Sequence, residues 1–481
     1  MLENAWRRRS VSTVVAFIGA ALVVLSAPAV DTHRTKVQLW FDTEDYTWPK
    51  SDDAIRDIAK LLTEEGVRGH FNTVGYLAQK LVERRRFDVI DALKPHLVGD
   101  QTLYHSWHPV LPELTDLADY DEAYRLALAE EAQSFGMLKA VFGLDTVAFT
   151  AHTGPSSTHV GQDACVDLGA TFIGGMGAIG QDENITDFNV WYNNMRQIPY
   201  NAPRLYLEAL FPEFRDRFKV DYDYELDRYS KFGGIVLSMH PHKAERMEHW
   251  DVPNYKEGNL VEWGKWKPAT PRPESERKLF YERLRWLIRK IKADPRFEFV
   301  DCEELLRAQK PRVAITRADV PAIRAALAKR LWPVHEPASW CVADCFQAAV
   351  RFLRGETSFT PGKAYGFLEK PVGVTTPVRV KAADLRVAAA KISFKRHLPV
   401  SCDVGGTRIG PADFLYAALE VLETGAEEVT VSPRDQLGDV RAFSPALADF
   451  THVGAWMYVP EFKDRYLSDR LRWQFWTLRF E

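Results

Sequence analysis

From Lys36 to about Leu306 the sequence alternates short apolar runs with segments of helical periodicity, and this alternation limits the fold more than any other feature. "VQLWF" (37–41) is a β-branched and aromatic run of strand length. "SDDAIRDIAKLLTEEG" (51–66) places apolar residues at helical spacing and stops on a glycine. "VRGHFNTVG" predicts a second strand with a turn at Gly75, "FDVIDALKPH" a helical piece, and "LVGDQTLYHSWHP" a strand that passes into a loop. A long amphipathic helix follows over 120–143, then the strand "DTVAFTAH", the strand "GGIVLSMHPH", the helix "SERKLFYERLRWLIRKIKA" and the strand "FEFVDCEEL". Repeated β-then-α units predict a parallel sheet, as a β/α barrel or a doubly wound sheet. In barrels, chemistry gathers on the loops at the C-terminal strand ends.

The chain is 481 residues long with 46% hydrophobic and 27% charged residues, enough for more than one domain of ordinary globular composition. A net charge of −4 gives no footprint for nucleic acid or anionic lipid. Arg7, Arg8 and Arg9 precede an uncharged run over 10–30 that ends in the small-residue site Ala27-Pro28-Ala29. This pattern predicts a signal peptide over 1–30, or an N-terminal membrane anchor if it is not cleaved, and places the folded part outside the cytoplasm, in the periplasm or secreted. Five cysteines (Cys165, Cys302, Cys341, Cys345 and Cys402) leave at least one unpaired; a disulfide from Cys341 or Cys345 to Cys402 is left open. The 14 tryptophans suit either sugar stacking or core packing.

Several groups of residues carry chemistry. Asp42, Glu44 and Asp45 arrive directly after an apolar strand, where carboxylates form either a solvated turn or a site for a divalent metal and a general base. His105 and His108 in "YHSWHP" are spaced to share one metal. His240 and His242 follow the apolar strand "IVLSM", which puts His240 at a sheet end as a candidate general acid. His152 follows another strand. Trp250, Tyr255, Trp263 and Trp266 form either a sugar platform or the packing of a long loop.

Taken in order, "FDTED", "GVRGHFNTVG", "GDQTLYH", "AFTAHTGP" and "IVLSMHP" resemble the motifs of the polysaccharide deacetylase family, the NodB-homology fold of carbohydrate esterase family 4. The likeness runs from Lys36 to about Leu306. It implies a distorted (β/α) barrel over 34–310 that removes acetyl groups from a glycan or cell-wall polysaccharide with a divalent metal. Ligand type favours zinc. The resemblance makes Asp42 the base, His240 the acid, and Glu44, with Asp45 as its alternative, His105 and His108 the metal ligands. Two positions depart from the family pattern. Gln101 stands where the first metal histidine is expected, and Thr150 falls near the place of the arginine that orients the base. These departures keep a second function open, a catalytically degraded relative that binds cell wall. A hydrolase of a non-glycan C–N bond is a third.

After a mixed stretch expected to be a linker (311–335), the region 336–481 repeats Ala-Asp-x-x-x-Ala-Ala in "ADCFQAA", "ADLRVAA" and "ADFLYAA". These segments predict a smaller, mainly α-helical repeat domain, faintly similar to pseudomurein-binding repeats, that would bind cell wall or glycan.

Overall fold

Strand β1 (Thr35–Thr43) lies at the middle of an 11-stranded sheet, because its apolar residues are buried on both faces. The computed structural model describes residues 34–150, 158–174, 188–199, 202–212, 221–255, 261–262, 265–267, 269–438 and 458–481. The predicted segment 1–30 and His152 lie outside these residues. Beside β1 run β2 (His70–Thr73), β3 (Leu97–Asp100), β4 (Phe149–Thr150) and β5 (Phe172–Ile173), each parallel to the one before. β6 (Val190–Tyr192) and β7 (Met195–Gln197) form a hairpin, with β7 parallel to β5. On the other side of β1 lie β9 (Gly234–Met239) and then β8 (Arg204–Tyr206), while β10 (Phe297–Phe299) pairs with the start of β1. The result is an α/β fold, a parallel sheet curled into a distorted β/α barrel.

Helices join the strands as the periodicity predicts. α1 (Ser51–Glu64) follows β1, and Gly66 behind it takes φ 65°, which suits glycine. Gly75 opens a helix, α2 (Gly75–Glu83), instead of the expected turn. α3 (Phe87–Leu93) and the long α4 (Tyr120–Phe142) follow, the latter capped by the Asp119 side chain and closed by Gly143 at φ 68°. The apolar stripe of α5 (Glu274–Ala293) buries Phe280, Leu284, Leu287, Ile288 and Ile291. "FEFVDCEEL" is divided: strand β10 is followed by the helix Cys302–Arg307.

The three Ala-Asp repeats form α6 (Val342–Leu353), α7 (Ala382–Lys391) and α8 (Pro411–Thr424) around a shared core that includes Phe346, Leu385, Phe414 and Trp476. Two of their aspartates are structural. Asp344 and Asp413 are fully buried and accept the backbone N–H of Cys341 and Gly410, each at 2.9 Å. Val320–Lys329, within the expected linker, is a helix. The last strand, β11 (Arg479–Phe480), pairs with β6, so the end of the chain belongs to the same sheet as its first strand. All five cysteines are free and buried, so the disulfide left open to Cys402 is not formed. No helix among the described residues is long and apolar enough to cross a membrane.

Candidate active site

The parallel strands bring their C-terminal ends together, and the first side chain placed there is Asp42. It stands opposite Asn72 in the β1–β2 register, and Asn72 Nδ2 donates to Asp42 Oδ1 at 2.7 Å. Two residues on, Glu44 is buried beyond the end of β1. Gln101, just past β3, donates Nε2 to Glu44 Oε1 at 2.7 Å, and the Trp250 indole N–H donates to Oε2 at 2.8 Å.

Three imidazoles then face the same carboxylate. His105 Nε2 is 3.2 Å from Glu44 Oε1, His249 Nε2 is 3.6 Å from Oε2, and His240 Nε2 is 3.8 Å from Oε1 and 3.7 Å from Asp42 Oδ2. Each ring is anchored at its other nitrogen. His249 Nδ1 meets Asp251 Oδ1 at 2.7 Å, and His240 Nδ1 meets Glu208 Oε1 at 3.0 Å. His105 Nδ1 meets Ser106 Oγ at 2.7 Å, and that hydroxyl donates to Asp251 Oδ2 at 2.9 Å. An ionised carboxylate only accepts, so Nδ1 carries the proton on His240 and His249 and Nε2 is left facing Glu44. Carboxylates that fix imidazole tautomers in this way are the usual outer support of metal-ligating histidines. His105 holds its place at φ 57°, in the left-handed region that few non-glycine residues adopt.

Burial and charge oppose each other at this centre. Burial lifts the Asp42 carboxyl above its ordinary range; the Glu44 charge adds to this, and His240, Asn72 and Arg204 reduce it. Burial would also lift Glu44, but His105, His240 and His249 outweigh it and hold the carboxyl well below the usual range. Burial would lower His240; Glu44, Glu208 and Asp42 reverse this and push it up to about 10. Burial holds His242 well below its ordinary value with help from His249 and His240, and it accepts the Trp250 backbone N–H at 3.3 Å.

The structure thus brings together Asp42, Glu44, His105 and His240 from the expected set. It does not bring Asp45 or His108 to them. The Asp45 carboxylate is taken up by the turn before α1, where it accepts Thr47 N–H, Thr47 Oγ1, Trp48 N–H and Ser51 Oγ at 2.5–3.2 Å. His108 Nδ1 bonds Glu113 Oε2 at 2.8 Å on the far side of the loop. Trp250 and Tyr255 are buried and pack against Tyr46, so they serve the loop and offer no exposed platform; Trp266 is half-buried and Trp263 lies outside the described residues. Sequence reasoning missed His249, Asp251, Glu208 and Asn72. The signal for the first two was "HWD", a chelating side chain and a carboxylate two residues apart, in a segment without strand or helix periodicity.

Beside His240 and His249 opens a cavity of about 500 Å³ whose wall includes Arg204, Tyr206, Glu208, Tyr229 and Lys243.

No family model matches the sequence, and no curated protein matches it. Among solved structures, a 4-alpha-glucanotransferase from Thermococcus litoralis aligns at 11% identity and TM-score 0.37, over 58% of this chain and 41% of that one. A CE4 family pseudoenzyme from Bacillus anthracis aligns at 14% identity and TM-score 0.29, over 57% and 66% of the two chains. A Mycobacterium smegmatis protein described as a polysaccharide deacetylase aligns at 15% identity and TM-score 0.36, over 60% and 96%. This chain therefore spans less than two thirds of the first two. At TM-scores this low, the likenesses carry no weight for function. The functional reading stands on the site itself.

Proposed function

We propose that this protein is a metal-dependent hydrolase that removes acetyl groups from a glycan or cell-wall polysaccharide. The observation that carries this reading is the convergence of three anchored imidazoles on Glu44, beside a second carboxylate, at the C-terminal edge of a parallel sheet.

The donor set suits a divalent ion. Donor atoms of Glu44, His240 and His249 lie within 4.8 Å of one another, and His105 Nε2 is a further donor against Glu44. Around them Asn72 Oδ1, Gln101 Oε1 and Glu208 Oε2 are buried without hydrogen-bond partners, acceptor atoms that a cation and its waters would complete. Nitrogen and carboxylate ligands favour zinc. When bound, the metal supplies a Lewis acid for the acyl oxygen and a more acidic water. Asp42, outside the ligand set, takes the proton of the attacking water at Oδ2. Its carboxyl, raised by burial, can hold that proton and return it to the leaving nitrogen or oxygen. Asn72 fixes the other oxygen of Asp42. Glu208 and Asp251 hold the rings in the tautomer that leaves Nε2 available. On this reading His240 is a ligand, and Asp42 performs the acid step that the sequence suggested for His240. The neighbouring cavity receives the substrate.

The remaining features fit an exported protein. The 1–30 segment would direct or tether it outside the cytoplasm, and the repeat region, with its likeness to pseudomurein-binding repeats, would hold it to the wall. One observation favours the degraded relative: Gln101 occupies a Glu44 oxygen where a histidine ligand was expected. Acetate release from acetylated glycans, compared between the parent and Asp42→Asn, decides between the two. Release that the variant abolishes supports the hydrolase. No release together with firm wall binding supports the degraded relative.

A further inference from the structure

The loop "YHSWHP" has two faces, and only one belongs to the site described above. His105 and Ser106 turn toward Glu44 and Asp251, while Tyr104, Trp107 and His108 line a separate cavity of about 550 Å³ on the other side. Tyr76 from α2 and Glu130 and Gln133 from α4 add to the wall. Tyr76 and Tyr104 approach edge to face with ring centroids 5.3 Å apart, and Tyr104 and Trp107 lie 5.9 Å apart.

We propose that this cavity is a carbohydrate subsite that takes a neutral pyranose ring of the same glycan; the proposal rests on the deacetylase reading. Aromatic faces match the apolar C–H faces of a sugar. The volume is of the size that holds a small ligand. His108 adds the polar requirement. Glu113 fixes its Nδ1, and its Nε2 is buried without a partner. A hydroxyl both donates and accepts, so it pairs with that nitrogen in either protonation state. An aromatic hydrocarbon would leave Nε2 unpaired, and an anion would meet Glu130 on the wall and Glu113 behind His108. One short loop forms this wall and carries His105 on its other face, so the subsite and the proposed metal centre share that loop.

The test measures binding of the N-acetylglucosamine pentamer by calorimetry, in the full chain carrying Asp42→Asn to prevent turnover. Ala129→Trp fills the cavity from the exposed face of α4 and removes no existing contact. Trp107→Ala removes a platform ring. We expect each to weaken pentamer binding by about tenfold, as loss of an aromatic contact does. Because Trp107 also packs near Trp266 and Tyr255, a melting temperature is recorded for every variant. Pentamer binding unchanged in Ala129→Trp, or no pentamer binding in the parent, would overturn the subsite. Acetate release is read separately in the chain with Asp42 intact; release there, with pentamer binding unchanged by Ala129→Trp, would remove the subsite and leave the deacetylase. Binding that Ala129→Trp weakens, together with no acetate release from the chain with Asp42 intact, would keep the subsite and remove the deacetylase.

Discussion

His249 aims Nε2 at Glu44 Oε2 from 3.6 Å while Asp251 holds its Nδ1 at 2.7 Å. This pairing supplies an imidazole to a centre where Gln101 replaces the expected one. The histidine arrives from a different loop, after β9, so the same carboxylate is addressed from a new direction.

Asp42→Asn is expected to lower acetate release by about 10²–10⁴-fold, the usual worth of a positioned proton carrier. Metal content should be unchanged, because Asp42 is outside the ligand set. Steady-state kinetics with metal analysis on the same preparation check both. Lost activity with lost metal would make Asp42 a ligand instead.

Asp45→Ala is expected to cost about 2 kcal/mol of stability, because four donors in the turn before α1 lose their acceptor. Metal content should hold. Denaturant unfolding measures the first and metal analysis the second; a variant of unchanged stability that loses metal would return Asp45 to the ligand set.

Without metal, His240 and its carboxylates form an ion pair that depends on pH. The folded value, about 10, is raised above the unfolded value of 6.5. The stabilisation is therefore complete below pH 6.5 and is lost as the pH rises through about 10. The melting temperature of chelator-treated protein should fall across that window. His240→Gln should flatten the slope, and an equal slope in both would assign the effect elsewhere.

The convergence of the candidate residues was legible because they follow apolar strands. Asp42, Glu44 and His240 sit at or just past the ends of β1 and β9, and His105 follows β3, where strand direction alone puts them on one edge. Asp45 and His108 lie apart from the cluster because nearness in sequence is not nearness of side chains. Successive residues of an extended chain point to opposite sides, and Asp45 turns away from its neighbour Glu44 into the α1 turn. His105 at φ 57° turns the loop, so His108 ends against Glu113. His249 and Asp251 were missed because "HWD" lies in a loop without periodicity, and only long-range packing brings it to Glu44.

Gly99→Ala is expected to cost about 1–3 kcal/mol, since a Cβ there would overlap the Phe149 ring across β3 and β4. The shift would also move Gln101, two residues on. Thermal unfolding reads the loss, and an unperturbed melting temperature would show that the ring can yield.

The most direct test is metal analysis of the purified chain from Arg34 onward, with and without His249→Ala. We expect about one divalent ion per parent chain, the stoichiometry of a single hydrolytic centre, with zinc preferred. His249→Ala should lose most of it, whereas His108→Ala should keep it. A folded parent that takes up no divalent ion, or His249→Ala that binds as the parent does, would contradict the metal centre built on Glu44.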